Sequence, residues 1–533
     1  MARIVVLGMM AAIAMAGPVC AQSGVDLETD QYKRVHLRAM RAVSAGELDQ
    51  LVKALEDFAA EHPEDAETWY ALTVAHTQRG ALVEAMACVK EAVSRGLPIE
   101  RFVAGPRDLL RPLVSRITFQ EYAKGRATPL LHGPLLGRVT GTRAGVWMRT
   151  AHEAEVRVTL TPKDATGGAR SANGRTTAAE DFTTVVDVDG LAADTAYTYT
   201  VSIDGRRLKD AGWTFHTMPP TGMPATLRLG FGGGAGYVPQ HERVWETILE
   251  FEPRAFLFLG DNVYIDTPED PAVQDYVYYR RQSRPEYRAF LGATPVFAIY
   301  DDHDFGDNDC WGGPEFESPA WKRPVWERFR RQWANPSYGG GEALPGCWFT
   351  WQAGDVDFFF LDCRYYRTNP KRKKTSMLGP RQLDWLLGKL KASDGTFKVL
   401  VSSVPWAHGT KPGSRDTWDG YAQERETIFS CIEKNRLDGV VLLSADRHRS
   451  DVWKIERENG YDFYEFESSR LTNQHVHKKM PGAQFSYNES QSFGLLDFDT
   501  TKLDPTVTYR IVNIDGEVVH TVCVTRSQLT APE

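Results

Sequence analysis

The feature that most constrains the fold of this chain is a set of short apolar runs that each stop at polar residues. Residues 296–300, Val-Phe-Ala-Ile-Tyr, lead directly into the segment 301–304, Asp-Asp-His-Asp. Four further runs end in the same way, and they cover residues 255–259, 356–361, 398–401 and 440–443. Runs of this length are typical of buried β-strands. Because ligands of open α/β sheets bind outside the carboxyl ends of the strands, the polar residues predict one shared site.

Three aspartates indicate what this site binds. Asp261, Asp302 and Asp446 follow three different predicted strands. Two carboxylates about 4 Å apart, at an effective dielectric of about 20, repel each other by about 4 kcal/mol. A bound cation removes that repulsion, and ligand sets rich in oxygen and imidazole bind divalent or trivalent metal ions. The residues alone therefore predict a metal site.

The length and composition of the chain predict a multidomain globular protein. A chain of 533 residues is long enough for about three or four ordinary domains. The net charge of -8 does not favour a nucleic-acid partner. Beyond the first twenty or so residues, no stretch is long and apolar enough to predict a transmembrane anchor.

The N-terminus has the layout of a secretory signal peptide, predicted at residues 1–21. Arg3 precedes an apolar run from Ile4 to Ala16, and small residues end at Ala21. The prediction is therefore an exported protein, periplasmic or extracellular. Six cysteines remain after cleavage, and the sequence leaves open whether they form disulfides or stay buried thiols.

Residues 27–125 are predicted to be helical and tetratricopeptide-like. Trp69, Gly80 and Pro98 fall close to the positions of that repeat, and Gly46 lies 34 residues before Gly80. Two interpretations stay open: a groove for a protein partner, or a cap packed on the catalytic domain. Two repeats make a shallow groove, which favours the cap.

The rest of the chain predicts three further segments. Residues 127–218 alternate polar and apolar at period two between Gly- and Asp-rich turns, which predicts a β-sandwich similar to fibronectin type III. Residues 225–515 alternate helical and strand patterns, which predicts a layered α/β domain. Helices are expected at 379–390 and 421–434. Residues 516–533 are left as a C-terminal tail.

Three ordered motifs at the strand ends carry a resemblance to a known family. They are Gly260-Asp261-Asn262-Val263-Tyr264, Tyr300-Asp301-Asp302-His303-Asp304 and Ala445-Asp446-Arg447-His448. They resemble the alkaline phosphatase D (PhoD-like) family of the calcineurin-like metallophosphoesterase superfamily. That family carries Gly-Asp-x-x-Tyr, Trp-Asp-Asp-His-Glu/Asp and Gly-Asp-x-His in this order. The resemblance covers about residues 127–515 and implies a metallophosphoesterase catalytic domain.

The resemblance implies a role for each matching residue. Asp261 is similar to a carboxylate that bridges two metals, and Tyr264 to a phenolate ligand. The remaining implied ligands are Asp302, Asp446 and His448. His303 resembles the catalytic histidine that protonates the leaving oxygen or steadies the phosphoryl group. Arg364 and Asn308 are implied substrate-binding residues, and Asp307 is a further candidate ligand.

The implied activity is hydrolysis of phosphate mono- or diesters by a metal-bound hydroxide. The implied cofactors are two or more metal ions, Ca²⁺ with Fe³⁺ or another divalent ion. The substrate could be a small molecule, a lipid or a polymer. One departure concerns iron: the family has a cysteine ligand after its first catalytic strand, and this chain has Gly234 there.

Two other functions stay open at this point. One is a binding or scaffold protein with a decayed site, which undetectable metal would favour. The other is hydrolysis of another ester, such as a sulfate, at the same metals, which side-by-side turnover of both esters would distinguish.

Overall fold

The computed structural model describes residues 32–164, 167–208 and 212–532. The predicted signal peptide at residues 1–21 lies outside the described residues. Within the part of the chain that the structure describes, no helix is both long and apolar enough to span a membrane.

From residue 32, where the described part of the chain begins, seven helices build the N-terminal region. They are α1 (Tyr32–Ala45), α2 (Leu48–Glu61), α3 (Ala66–Gln78), α4 (Leu82–Ser94), α5 (Glu100–Ala104), α6 (Arg107–Val114) and α7 (Ile117–Ala123). Gly80 turns the chain between α3 and α4 at φ +78°, a left-handed conformation that side-chain-bearing residues rarely adopt. The likeness to a tetratricopeptide repeat stays a prediction.

The helical region packs on the catalytic domain. The Tyr276 hydroxyl donates to Glu67 Oε2 at 2.9 Å. The Arg101 guanidinium lies over the rings of Tyr70 and Tyr276, at 4.1 and 5.0 Å from their centroids. Arg41 of α1 donates to the Asp266 carbonyl and the Thr267 hydroxyl. This is the packing expected of a cap.

Asp65 joins α1 to α3, and its removal should loosen the cap. Its carboxylate accepts the Tyr32 hydroxyl at 2.9 Å and lies 3.0 Å from His36 Nε2. Burial opposes ionisation, but His36, Thr68 and Tyr32 lower the pKa of Asp65 to about 2. Because this pKa is depressed on folding, the stabilisation is present above about pH 4 and is lost as pH falls towards 2.

At pH 7, Asp65→Asn should therefore reduce the free energy of opening α1 by about 2 kcal/mol. Native-state hydrogen exchange of the α1 amides measures this. The matched control is Asp49→Asn, on an 87% exposed side chain of α2. Equal exchange in the two variants would contradict the prediction.

Eight strands form the next region. They are β1 (Leu130–Gly137), β2 (Arg143–Thr150), β3 (Ala154–Pro162), β4 (Arg170–Thr176), β5 (Thr183–Asp189), β6 (Ala196–Ile203), β7 (Arg206–Arg207) and β8 (Trp213–His216). They form two antiparallel sheets, β1-β2-β5 and β4-β3-β6-β7 with β8 beside β6. Tyr199 donates to the Gly292 carbonyl at 2.7 Å, which ties this region to the catalytic domain. Its likeness to fibronectin type III stays a prediction.

The catalytic domain alternates strands and helices, as the sequence predicts. Its strands are β9 (Thr226–Gly232), β10 (Ala255–Leu259), β11 (Val296–Ile299), β12 (Phe349–Ala353), β13 (Val356–Phe360), β14 (Phe397–Val401), β15 (Val440–Ser444), β16 (Ser450–Ile455), β17 (Phe463–Ser468), β18 (Phe485–Tyr487), β19 (Ser492–Asp499), β20 (Thr506–Asn513) and β21 (Val518–Thr525). Its helices are α8 (Val244–Glu250), α9 (Pro271–Gln282), α10 (Pro285–Ala293), α11 (Asp302–Phe305), α12 (Lys322–Gln332), α13 (Gly379–Ala392) and α14 (Ala422–Lys434). The five apolar runs are β10, β11, β13, β14 and β15.

Two sheets face each other at the centre of this domain. The first has the order β11-β10-β9-β19-β20-β21, with β9, β10 and β11 parallel. The second has the order β12-β13-β14-β15-β17-β16-β18, with β13, β14, β15 and β17 parallel. Phe498 of the first sheet contacts Phe397 of the second, with ring centroids 5.6 Å apart. Trp245 of α8 packs on the first sheet and Phe429 of α14 on the second, which gives a layered α/β domain.

The predicted tail at residues 516–533 is wrong in part. Val518–Thr525 forms β21 and pairs antiparallel with β20 as the edge strand of the first sheet. Its residues are rich in valine and threonine, which favour strands. Leu529, beyond it, is also buried.

The structure shows whether the six cysteines form disulfides. Cys88, Cys310, Cys347, Cys363, Cys431 and Cys523 are all free, so the described residues contain no disulfide. Four of them are buried, as expected of small apolar side chains. The alternative of buried thiols therefore applies to these four.

Candidate metal centre and active site

The ends of both sheets meet at Gly233, directly after β9. A Cβ atom on Gly233 would lie 2.7 Å from the Ala445 Cβ and 2.9 Å from the Gly260 carbonyl oxygen. Gly260 follows β10 and Ala445 follows β15, so only glycine permits this approach. The next residues along the chain are Asp261 and Asp446. Packing of backbone against backbone therefore brings two predicted ligands, one from each sheet, to the same place.

Asp261, Asp302 and His303 form the central group. Their ligand atoms all lie within 4.8 Å of one another, and all three side chains are buried. Asp302 and His303 begin α11, directly after β11. Asp261 has φ +52°, a left-handed conformation that is uncommon for a residue other than glycine. Strain of this kind persists where the surrounding structure imposes it, as at functional sites.

The electrostatics of this group fit a cation. Burial raises the pKa of Asp261 well above its ordinary value; His303 opposes this rise, whereas Asp302 and Asp301 add to it. Several buried acceptor oxygens have no hydrogen bond within the described chain, namely Asp261 Oδ1, Asn262 Oδ1, Asp301 Oδ2 and Asp446 Oδ2. Buried acceptors without donors are costly, and a metal ion would satisfy them. The residues present therefore fit a metal bound by oxygen and imidazole.

His303 is held from two sides. Its Nδ1 lies 2.5 Å from Asp266 Oδ1, and the Tyr264 ring lies against the imidazole with centroids 4.3 Å apart. Burial works against the charged imidazole, but Asp302, Asp261 and Asp266 raise the pKa of His303 to about 10. These carboxylates favour the protonated imidazole when no metal is bound, and the two contacts fix the orientation of the ring.

Tyr264 lies within the site, as the resemblance implies. Its hydroxyl donates to Asp261 Oδ2 at 2.9 Å and accepts from Asn473 Nδ2 at 2.6 Å. Asp304 supports the same turn, because its carboxylate accepts the backbone N–H groups of Asn262 and Val263. These bonds fix the turn after β10 against α11.

Asp446 and His448 flank the central group. Both have left-handed backbones, with φ +70° and +44°. The Asp446 carboxylate lies 3.6 Å from Arg447 Nη1, and the His448 ring lies 5.2 Å from that of His477. Because Gly233 brings Ala445 against Gly260, Asp446 lies near Asp261, but among the described residues Asp446 and His448 are outside the group whose ligand atoms converge within 4.8 Å.

The structure does not support the predicted role of Arg364 in substrate binding. Its side chain is fully buried, and its guanidinium donates to Asp301 at 2.6 Å, to Asp416 at 2.8 Å and to the Cys310 carbonyl at 3.1 Å. An arginine whose donors are used in this way cannot present a fork to a phosphate. Arg364 instead positions Asp301 beside the centre.

Asn308 and Asp307, the other predicted residues, lie on the exposed loop after α11. They are near the site in sequence, but no hydrogen bond of their side chains ties them to the described residues of the central group. Their predicted roles stay predictions.

Gly234 does not fit a metal ligand bearing a side chain. A Cβ there would lie 2.7 Å from the Arg470 backbone nitrogen and 2.9 Å from His448 Nδ1, and φ is +70°. The family's thiolate ligand to iron therefore has no place in this backbone, and an iron site of that kind is not supported.

Gly234→Cys should consequently destabilise the protein by about 1–3 kcal/mol and add no iron. Thermal unfolding and iron content measure the two effects. Gly388→Cys is the matched control, because Gly388 lies in α13 with nothing within 4 Å of its added Cβ. Iron uptake by the Gly234→Cys variant without loss of stability would contradict the prediction.

Four residues of the site escaped the sequence prediction: Asp266, Asp309, Lys411 and Asp416. Asp266 lies two residues beyond Tyr264, so the first motif could have been extended to it. Asp416 lies two residues before Trp418 in a loop with no strand or helix pattern. Lys411 and Asp309 pair at 2.7 Å although 102 residues separate them, and no local signal announces such a contact.

The catalytic domain matches a known protein family. Residues 229–522, more than half of the chain, match the sequence model of the PhoD-like phosphatases. The chain belongs to the PhoD-like phosphatase family. The region before the catalytic domain of this PhoD-like phosphatase, residues 127–216, matches a domain of unknown function, DUF7800.

Known relatives agree with the assignment. The PhoD-like phosphatase is 25% identical over 319 residues to alkaline phosphatase D of Bacillus subtilis (strain 168), across 50% of this chain and 53% of the relative. The match thus spans about half the length of that curated relative.

Two solved structures share the fold. The structure of PhoD has a TM-score of 0.61 at 17% identity, covering 75% of this chain and 91% of that chain. Purple acid phosphatase PPD1 from yellow lupin (Lupinus luteus) seeds has a TM-score of 0.55 at 12% identity, covering 74% and 75%. At these identities the likeness concerns the fold, and it agrees with the layered α/β catalytic domain.

Proposed function

We propose that this PhoD-like phosphatase is a metal-dependent phosphoesterase that hydrolyses phosphate mono- or diesters. The observation that carries the proposal is the group Asp261, Asp302 and His303, whose ligand atoms lie within 4.8 Å of one another. The buried site contains carboxylate oxygens without a hydrogen-bond donor. In a member of this family, such oxygens support metal binding rather than the alternative of a decayed site on a scaffold protein.

Different residues of this chain would bind the metal ions and donate the proton. Asp261, Asp302, Asp446, His448 and Tyr264 would hold metal ions, which when bound lower the pKa of water and neutralise charge on phosphoryl oxygens. His303 supplies a proton to the leaving oxygen from Nε2, because Nδ1 is engaged by Asp266. Asp266 and the Tyr264 ring keep that imidazole oriented.

The proposal extends to the cofactor and location. Ca²⁺ or another divalent ion suits the oxygen-rich ligand set. The leader-like residues 1–21 support export to the periplasm or the outside of the cell.

The test is metal content of the purified mature protein, with hydrolysis of aryl phosphate monoesters, diesters and sulfates before and after chelation. We expect stoichiometric metal and phosphate-ester turnover that is lost on chelation and restored by a divalent ion. A metal-free protein without turnover after Ca²⁺, Mn²⁺, Zn²⁺ and Fe³⁺ would overturn the proposal, and faster sulfate turnover would favour the sulfatase alternative.

A further inference from the structure

A second acidic group lies beside the first. Asp302, Asp309 and Asp416 offer ligand atoms within 4.8 Å of one another, and Asp302 belongs to both groups. By carboxylate count alone, this second group, with three, would be a better metal site than the first, with two.

The second group already contains cations. Lys411 Nζ lies 2.7 Å from Asp309 Oδ1 and 3.1 Å from Asp416 Oδ2. The same ammonium lies 3.8 Å from Asp446 Oδ2. Arg364 and Arg367 contact the other oxygen of Asp416, at 2.8 and 2.7 Å. Every carboxylate of this group therefore has a cation within 4 Å, since Arg364 Nη2 also lies 3.8 Å from Asp302.

The first group differs in this respect. In the described part of the chain, Asp261 forms no ion pair with a lysine or arginine, and its Oδ1 has no hydrogen bond. The only basic side chain of that group is His303, and its Nδ1 is engaged by Asp266. Positive charge from the protein is thus concentrated on one of two adjacent acidic groups.

Lys411 is held in place rather than free to move. Its side chain is 17% exposed. The preceding carbonyl, that of Thr410, accepts Arg449 Nη2 at 3.1 Å. A lysine is a compact point charge that can take the position of a small cation.

We infer that the Lys411 ammonium serves in the second acidic group in place of a metal ion. It neutralises Asp309 and Asp416, leaves Asp261 and Asp302 to the metal centre, and presents one fixed positive charge beside Asp446. The inference deepens the proposed function, because it concerns the charge at the same site. Its readout is the number of bound ions rather than turnover.

The experiment counts Mn²⁺ bound per chain by elemental analysis after equilibrium dialysis of the full mature protein. Lys411→Met should bind one more ion than the native chain, because the vacated carboxylates then take up Mn²⁺. Lys411→Met with Asp309→Asn should return to the native count, and Lys411→Arg, which keeps a cation, should not gain an ion. An unchanged count in folded Lys411→Met would overturn the inference.

A second variant covers the case in which Lys411→Met does not fold. The Asp309 side chain is 40% exposed, so its substitution should disturb the packing of the fold little. Asp309→Asn in the native chain should leave the ion count unchanged, because no metal resides there. Loss of one ion per chain would overturn the inference. Failure of the proposed function looks different: the native chain would bind no ion, while Lys411→Met would still gain one.

Discussion

Asp261→Asn should empty the metal centre and reduce kcat for phosphate-ester hydrolysis by at least about 10³-fold, or about 4 kcal/mol of transition-state stabilisation. Asp261 forms no ion pair with a lysine or arginine of the described residues, and its Oδ1 has no hydrogen bond there. Asparagine keeps the shape but removes the charge that attracts the ion. It can still accept the Tyr264 hydroxyl, so the turn after β10 should persist.

Metal content and kcat of the variant give the two readouts. Asp384→Asn, on the exposed face of α13, is the control and should match the native protein in both. Because burial and Asp302 make the Asp261 carboxylate costly in the metal-free fold, Asp261→Asn should also unfold at a higher temperature than the chelated native protein. Native-like turnover in Asp261→Asn would rule out the proposed centre.

His303→Gln should lower kcat by about 10²–10⁴-fold for esters with poor leaving groups such as alkyl alcohols. With a nitrophenyl ester the loss should be much smaller, because that leaving group departs without protonation. Metal content should stay near the native value if the main role of His303 is proton transfer. The matched control is His152→Gln, on a 61% exposed side chain of the β-sandwich region.

The pH dependence of kcat follows from the carboxylates around His303, of which Asp266 is the hydrogen-bonded partner. A general acid works while protonated, so activity is retained below its pKa and declines as pH rises through it. Asp302, Asp261 and Asp266 outweigh burial and raise the pKa of His303 to about 10. Asp266→Asn removes one of these charges, so the alkaline limb of the kcat profile should move to lower pH. If the alkaline limb does not move, it reports the titration of a group other than His303.

The sequence was sufficient where the position of a residue depends on its place after a strand. The apolar run before Asp302 predicts β11. Because Asp302 follows the carboxyl end of this parallel strand, the sequence also predicts the edge of the sheet at which Asp302 lies. Arg364 shows where such reasoning stops, because its donors are consumed by Asp301 and Asp416, which lie 63 and 52 residues away. Lys411 shows the same limit, since a loop lysine acquires a role only when Asp309 and Asp446, far away in sequence, join the nearby Asp416 around it. Sequence patterns report periodicity, whereas these two roles depend on burial and on long-range contacts.

The contacts of Arg41 with the Asp266 carbonyl and the Thr267 hydroxyl bear on where the chain can be truncated. The family match begins at residue 229, which marks a natural place to start a recombinant fragment. Such a fragment would contain every proposed metal ligand, yet it would lack the arginine that holds the carbonyl of Asp266, whose carboxylate orients His303. We therefore expect that the helices before residue 127, although outside both family matches, help to fix the orientation of His303 in this polypeptide.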